Sequence, residues 1–353
     1  MKPKIAVFTG SDLTYYGGGE KDVIAWTSRL QNDFDIIIYV LKGKGLQRKS
    51  LADIMKMLGD VKVVYYRGRK IRLLKDILPL QRFDLKQYDK VYSMSEGFIL
   101  NRILQKGSKK FLLGIHSTNV FMKEPLQSKM WKKVFFSIIR PIHMHYLRIA
   151  DEIRIQNKSD LKNVLDLNYK GKIWNVPPAM LDSTPEPVYS DFYVVWMNRV
   201  EPGKRPEDLV KIADMMPDVT FYAIGSGSMT HLFEGHSNIV AKGFVPDNDL
   251  PDIMSNASCY ISTSGGENFG MSLVEAELYG IPTISYDVMG LRDYADHVVK
   301  SMDEMIQWIG NIKRIHENKD SFMAYRNAIR GRAMKHYSNI AVMPQIKEMI
   351  GGS

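Results

Sequence analysis

Short runs of β-branched and aromatic residues recur along the chain, each followed by a longer stretch with helical apolar spacing, and this alternation limits the folds open to it. In the first half the runs are KIAVFT (4–9), FDIIIYV (34–40), VKVVYY (61–66), KVYSM (90–94), KFLLGIH (110–116) and EIRIQ (152–156). In the second half they are FYVVWM (192–197), VTFYAIG (219–225), NIVAKGF (238–244), CYIST (259–263) and PTISYD (282–287). Amphipathic segments such as GEKDVIAWTSRLQN (19–32) lie between them. Runs this apolar suit strands covered on both faces, and strands separated by helices pair in parallel. With 353 residues the chain has room for two such domains. VPPAMLDSTPEPVYSD (176–191), which holds four prolines, reads as the link between them. The expected fold class is α/β with two Rossmann-like domains: a basic one over residues 1–180, a linker over 181–190, and a second over 191–334.

Charge divides the halves as well. Residues 1–178 carry 33 lysines and arginines against 16 carboxylates, and residues 179–353 carry 15 against 23. A basic half of this kind suits an anionic partner, or serves solubility alone. The single cysteine, Cys259, excludes a disulfide framework and a multi-thiolate metal site and fits a reducing, cytoplasmic setting. The opening MKPKIAVFTGSD has too short an apolar run for a signal peptide, and no stretch reaches the roughly 18 apolar residues of a membrane span.

Open parallel sheets bind ligands beyond the carboxyl ends of their strands, so the chemistry is sought in the loops that follow them. After CYIST comes TSGGENFGMSLVEAELYG (263–280), which sets Glu267 and Glu275 eight positions apart around Asn-Phe-Gly. Met271, Leu273, Val274, Ala276 and Leu278 make Glu275 a charge among core-facing neighbours, which requires a partner. A helix beginning near Gly270 offers unpaired N–H groups and a partial positive charge, a setting for phosphate. Asn268 and Gly270 permit the backbone angles of a tight approach. After FYVVWM, the loop NRVEPGKRPEDLV places Arg199 and Lys204 across a Pro-Gly turn, a planar fork and an ammonium suited to a diphosphate. Together these groups would stabilise charge on a departing nucleoside diphosphate. Glu275 would then accept hydrogen bonds from a ribose and Glu267 from a sugar.

GGENFGMSLVEA resembles the Glu-x7-Glu motif of retaining glycosyltransferases of the GT-B fold, in particular family 4. NRVEPGKRPED is similar to that family's Arg…Lys diphosphate loop, and YYGGGEKDV (15–23) to its N-terminal Gly-Gly-x-Glu loop with Gly18 and Gly19. GIHSTN (114–119) sits where the family carries a histidine near the transferred sugar, here His116, and the order of segments follows the family over nearly the whole chain. The resemblance implies two domains facing across a cleft and a final stretch, 335–353, crossing back onto the first. It implies that Arg199 and Lys204 hold the diphosphate, Glu275 the ribose and Glu267 the donor sugar, with Phe269, Gly270 and Met271 offering amides. Gly225, Gly243, Phe244 and Val245 would border the nucleotide base. It implies a sugar moved with retention from a nucleoside diphosphate sugar to a hydroxyl of a lipid-linked, glycan or cell-surface acceptor, without metal or other cofactor. Asn268 stands where the family's turn carries glycine; Asn tolerates left-handed angles, so the turn is expected to survive. DVMGLRDYADH (287–297) lacks the family's usual pattern at that edge of the pocket.

Other readings use the same residues differently. A glycosidase would employ the two glutamates as acid and nucleophile, but leaves the Arg…Lys pair without a ligand. A non-catalytic binding subunit and a nucleotide-sugar epimerase both fit the scaffold. DFD (33–35) resembles a metal-binding Asp-x-Asp but precedes a strand, and reads as a solvated turn. YYRGRKIRLLK (65–75) and WKKVFFSIIRPIHMHYLR (131–148) read as helices packed inward or as basic amphipathic segments at an anionic membrane surface. Nothing resembles a dedicated nucleic-acid motif.

Overall fold

The computed structural model describes residues 2–43, 48–71, 76–94, 98–116, 140–142, 144–180 and 184–352. The chain divides into two compact units, residues 1–181 with 342–353, and residues 182–341.

The first unit contains seven parallel strands: β1 (Lys4–Thr9), β2 (Asp35–Leu41), β3 (Lys62–Tyr66), β6 (Lys90–Ser93), β7 (Phe111–Gly114), β8 (Glu152–Ile155) and β9 (Lys172–Asn175), ordered β3-β2-β1-β6-β7-β8-β9. Between β3 and β6 lie β4 (Gly68–Ile71) and β5 (Asp76–Pro79), an antiparallel pair with Gly68 opposite Pro79. Over its described residues, 65–71, this pair corrects the helical reading of 65–75. Val63, Val64, Tyr65 and Tyr66 continue an extended run, and Gly68 and Pro79 suit strand ends rather than a helix interior. The stretch 131–148 lies mostly outside the described residues. The second unit contains β10 (Tyr193–Met197), β11 (Thr220–Ile224), β12 (Ile239–Gly243), β13 (Cys259–Ser262), β14 (Thr283–Tyr286) and β15 (His297–Val299), all parallel and ordered β12-β11-β10-β13-β14-β15. The sequence reading missed β9 and β15, the last strand of each sheet. β15 has only three residues, too few to show a period.

In each sheet the chain runs outward from a central strand, returns, and continues on the other side. The order reverses between β1 and β6 in one unit and between β10 and β13 in the other, and the carboxyl ends of the strands at such a point are where open parallel sheets take ligands.

Apolar residues cover both faces of the first sheet, with Trp26, Val23 and Ile38 on one and Phe8, Tyr66 and Leu104 on the other. The last helix, Asn339–Gly351, joins the first of these cores through Val342, Ile346, Met349 and Ile350. Residues 335–337 still belong to the second unit's helix Lys319–Tyr337, so the return begins later than 335. Lys90, fully buried, fixes that final helix. Its ammonium donates to the carbonyls of Met349 at 2.6 Å and Gly352 at 3.0 Å and pairs with Glu152 at 2.9 Å. A cation on the last carbonyls of a helix opposes the negative end of its dipole. Among the described residues, no helix is long and apolar enough to cross a membrane.

Two buried groups in the second unit had no signal in the sequence. Arg326, wholly buried, donates to the carbonyls of Gly280, Val188, Ser255 and Tyr279 at 2.7 to 3.1 Å, tying the helix Lys319–Tyr337 to three other segments. Glu277 is 7% exposed and accepts from the Thr283 hydroxyl at 2.8 Å. Burial, reinforced by nearby Asp296, raises its pKa to about 8. The folded protein therefore keeps Glu277 protonated over a range in which the unfolded chain, near 4.5, has lost the proton. Its stability contribution is intact below that lower value and declines as pH rises towards 8. A Glu277→Gln variant should be more stable than the parent at pH 8, by up to roughly 4 kcal/mol, and lose that advantage near pH 5. Urea unfolding at the two pH values checks this, and an equal difference at both would refute it.

Candidate active site

The loops that flank the second unit's reversal point are those that carry Arg199 and Lys204 after β10, and Glu267 after β13. They are stitched together below the surface. Thr263 is buried at the end of β13; its hydroxyl accepts from the Trp196 indole at 2.8 Å and lies 2.8 Å from the Lys204 carbonyl and 3.0 Å from that of Arg205. Gly265 N–H donates to the Gly203 carbonyl at 3.1 Å. On this base the Lys204 ammonium forms an ion pair with Glu267, whose carboxylate also accepts from the Ser264 hydroxyl at 3.1 Å. The pair is partly exposed, so both charges remain open to a ligand.

Arg199 is exposed beside Glu201, whose carboxylate accepts from the Ser228 N–H at 3.1 Å and hydroxyl at 2.7 Å. That contact binds the β10 loop to the loop Gly225–Ser228 after β11. A Cβ on Gly225 would lie 1.9 Å from the Asn198 carbonyl, and one on Gly227 2.3 Å from that of Val200. Gly225 N–H donates to the Gly243 carbonyl at 2.7 Å, which brings the end of β12 alongside. Phe244 is half-exposed and Val245 partly buried. Five predicted loop residues thus sit at the carboxyl ends of three adjacent strands: Arg199, Lys204, Gly225, Gly243 and Phe244.

The Glu267–Met271 turn enters the helix Met271–Leu278. Gly270 takes the left-handed conformation, φ 74°, as its N-cap, whereas Asn268 is absent from the left-handed residues. The turn survives without asking Asn268 for the angle, which corrects the reason given for its tolerance. Phe269 is buried on Tyr294 and Tyr337, with ring centroids 4.5 and 6.0 Å away. Its side chain therefore anchors the turn, leaving its backbone to any ligand. Glu275 is half-buried; the deeply buried carboxyl is Glu277, two positions on. At helical spacing the shift of two residues turns a side chain by about 200°, which the local apolar pattern did not resolve. Tyr260, buried behind the turn, shares a hydrogen bond with Ser272 at 2.8 Å and donates to the Met197 carbonyl at 3.2 Å. Gly290, at φ 86°, is the residue of the divergent DVMGLRDYADH segment that the turn leans on. A Cβ there would lie 1.9 Å from the Glu267 carbonyl oxygen, and Glu267 N–H donates to the Met289 carbonyl at 3.1 Å.

In the first unit, Gly17 caps the helix Gly18–Leu30, and Glu20 accepts from the Gly17 N–H at 3.0 Å and from Ser11. A Cβ on Gly19 would lie 2.8 Å from the Met94 methyl and 3.9 Å from His116 Nδ1, so the helix start and His116 adjoin. His116 Nε2 shares a 2.7 Å hydrogen bond with the Tyr92 hydroxyl. Arg154, which sequence reasoning did not single out, donates to that hydroxyl at 3.3 Å and to both oxygens of Asp22 at 2.7 and 3.3 Å, all buried. Burial, with Arg154 adding, lowers the His116 pKa to about 4 against the opposing pull of Asp22. The imidazole is therefore neutral at pH 7 and serves as a hydrogen-bonding group rather than a charge. A charged arginine and aspartate inside strand and helix runs were the only sign of this network in the sequence.

The two parallel sheets, each with its reversal point, define a fold of the GT-B glycosyltransferase type. Its structural neighbours include Alr3699/HepE of Anabaena in complex with UDP-glucose, with a TM-score of 0.74 at 12% identity over 99% of this chain and 100% of that one. Identity at that level speaks for the fold. Residues 187–330 match the family described as "Glycosyl transferases group 1". The same chain is 26% identical over 156 residues to 2-deoxystreptamine glucosyltransferase of Streptomyces kanamyceticus, covering 37% of this chain and 40% of the relative. It is 30% identical over 122 residues to 2-deoxystreptamine N-acetyl-D-glucosaminyltransferase of Streptomyces fradiae, covering 31% and 29%. The matched stretches thus span two fifths or less of these curated relatives.

The close packing under Glu267 makes Gly290 a sensitive position. Gly290→Ala should destabilise the protein by roughly 1–3 kcal/mol, since both its left-handed angle and its missing Cβ are used. Thermal unfolding measures this, and an unchanged transition would show that the turn can move away without cost.

Proposed function

We propose that the protein is a glycosyltransferase that moves a sugar from a nucleoside diphosphate sugar to an acceptor hydroxyl. The observation that carries this reading is the Lys204–Glu267 pair, fixed by Thr263 and Ser264 at the start of the helix Met271–Leu278, with Arg199 on the adjoining strand end. Arg199, Lys204 and the helix's first N–H groups supply positive charge where a diphosphate would gain negative charge on leaving. Glu267 accepts hydrogen bonds from the sugar's hydroxyls, and Lys204, which pairs with it, also reaches the donor's phosphates. Glu275 holds the ribose, and Gly225, Gly243, Phe244 and Val245 border the base. The neutral His116 donates or accepts a hydrogen bond at a sugar hydroxyl without adding charge.

On this reading the configuration of the sugar is retained. The leaving phosphate takes the acceptor's proton while the carbon–oxygen bond to it breaks and the bond to the acceptor oxygen forms on the same face. The transferred group is a hexose. No metal is required, because Arg199, Lys204 and the helix carry the charge stabilisation. The acceptor is a lipid-linked, glycan or cell-surface precursor, and the enzyme works in the cytoplasm, at the membrane surface when its acceptor is lipid-linked. The relatives' names, with a glucosyltransferase and an N-acetylglucosaminyltransferase among them, support sugar transfer in general.

Thermal unfolding with UDP, GDP, ADP and CMP tests the donor site. One nucleotide at about 100 times its dissociation constant should stabilise the protein by roughly 2.7 kcal/mol, and Glu275→Ala should abolish the shift. No shift with any of the four would sink the donor assignment and favour a non-catalytic binding subunit.

A further inference from the structure

The first unit's sheet gathers a basic face at one edge. In the order β3-β2-β1, the loops after these three strands are neighbours at their carboxyl ends, on the same edge as His116 after β7. The loop after β2 brings Lys42, Arg48 and Lys49; the strand pair after β3 brings Arg67 and Arg69; the helix after β1 begins with Lys21 in its first turns. Lys42, Arg67 and Arg69 are exposed, and Lys21, Arg48 and Lys49 partly so.

These loops are held together. Arg48 N–H donates to the Thr14 carbonyl at 2.9 Å and Lys49 N–H to the same oxygen at 3.3 Å, which fastens the β2 loop onto the β1 loop. Asp12 accepts from the Thr14 N–H at 3.1 Å and its hydroxyl at 2.8 Å. Tyr16 is 3% exposed and held at φ 50°, a sparsely populated angle for a tyrosine. Two ammonium groups flank its ring: Lys49 at 4.3 Å from the centroid and Lys21 at 5.1 Å. The ring's π face draws both cations to one place, where like charges would otherwise part.

We propose that this face binds a phosphate group of the acceptor, and hence that the acceptor substrate is phosphate-bearing. Phosphate is the ligand that several cations at different distances hold better than one does, and the strand-end position is where an open parallel sheet takes its ligands. The proposal rests on the glycosyltransferase reading for the word acceptor, but the anion site itself stands on the first unit alone. The phosphate is either part of a lipid headgroup or carried by a soluble glycan. Leu80, 66% exposed where the strand pair returns, would meet the lipid in the first case.

The test uses the full chain with Arg199→Ala and Lys204→Ala, so that phosphate held by the donor loops does not register. Inorganic pyrophosphate is titrated by calorimetry, and sedimentation is measured with vesicles of phosphatidylglycerol or of phosphatidylcholine. Both are repeated with Lys49→Gln, Arg67→Gln and Arg69→Gln added, and with the two exposed arginines changed alone in case the lysine supports folding. Saturable pyrophosphate binding that weakens at least about tenfold in the added variants supports a soluble phosphate group. Sedimentation with phosphatidylglycerol alone, lost in those variants and at high salt, supports a headgroup phosphate. If neither probe binds, or the variants bind as the parent does, the proposal is overturned. Nucleotide binding by the protein with intact Arg199 and Lys204 is followed separately, so failure of the donor reading and failure of this one give different results.

Discussion

Neighbouring strands β10 and β13 are far apart in sequence, and the chain leaves them in opposite directions across the sheet. That reversal is the constraint on which the second unit's site depends. It leaves the Lys204 loop and the Glu267 loop side by side with no crossing connection between them. Backbone groups must then be satisfied locally, and Thr263, Ser264 and Gly265 do so by bonding one loop to carbonyls of the other. The ion pair above them is a consequence of that stitching rather than its cause.

Around this base the structure uses glycine where main chains touch. Gly225 and Gly290 each lie where a Cβ would collide with a carbonyl oxygen, so the loops pack at distances that side chains would forbid. Buried charges serve a related purpose. Arg326, Lys90 and the Asp22–Arg154 pair each reach several carbonyls or a carboxylate. Their desolvation is offset by those bonds, and each fixes segments distant in sequence against one another.

Much of the candidate site was proposed from the sequence because its residue types and spacings are local. Glu267, Gly270 and the helix that follows lie within a dozen positions, and Arg199 and Lys204 within one loop. His116 was singled out only through family resemblance, and the reason it is neutral was not legible, since Tyr92 and Arg154 come from other strands. The 65–75 stretch misled because its alternation of cations and apolar residues suits more than one period, and the pairing of β4 with β5 decides between them. Glu275 and Glu277 were confused for a similar reason, because both are flanked by apolar residues.

By itself the sequence determined the two parallel α/β units, the strand runs that build them and the loops that carry the charged residues. Those properties follow from periodicity and local backbone preference, which act over a few residues. Only the tertiary structure decided which glutamate is buried, that Gly290 supports the Glu267 turn, and that Lys204 pairs with Glu267. Each of these depends on segments distant in sequence meeting at a sheet's reversal point, and desolvation and contact there follow from three-dimensional packing that no local pattern encodes.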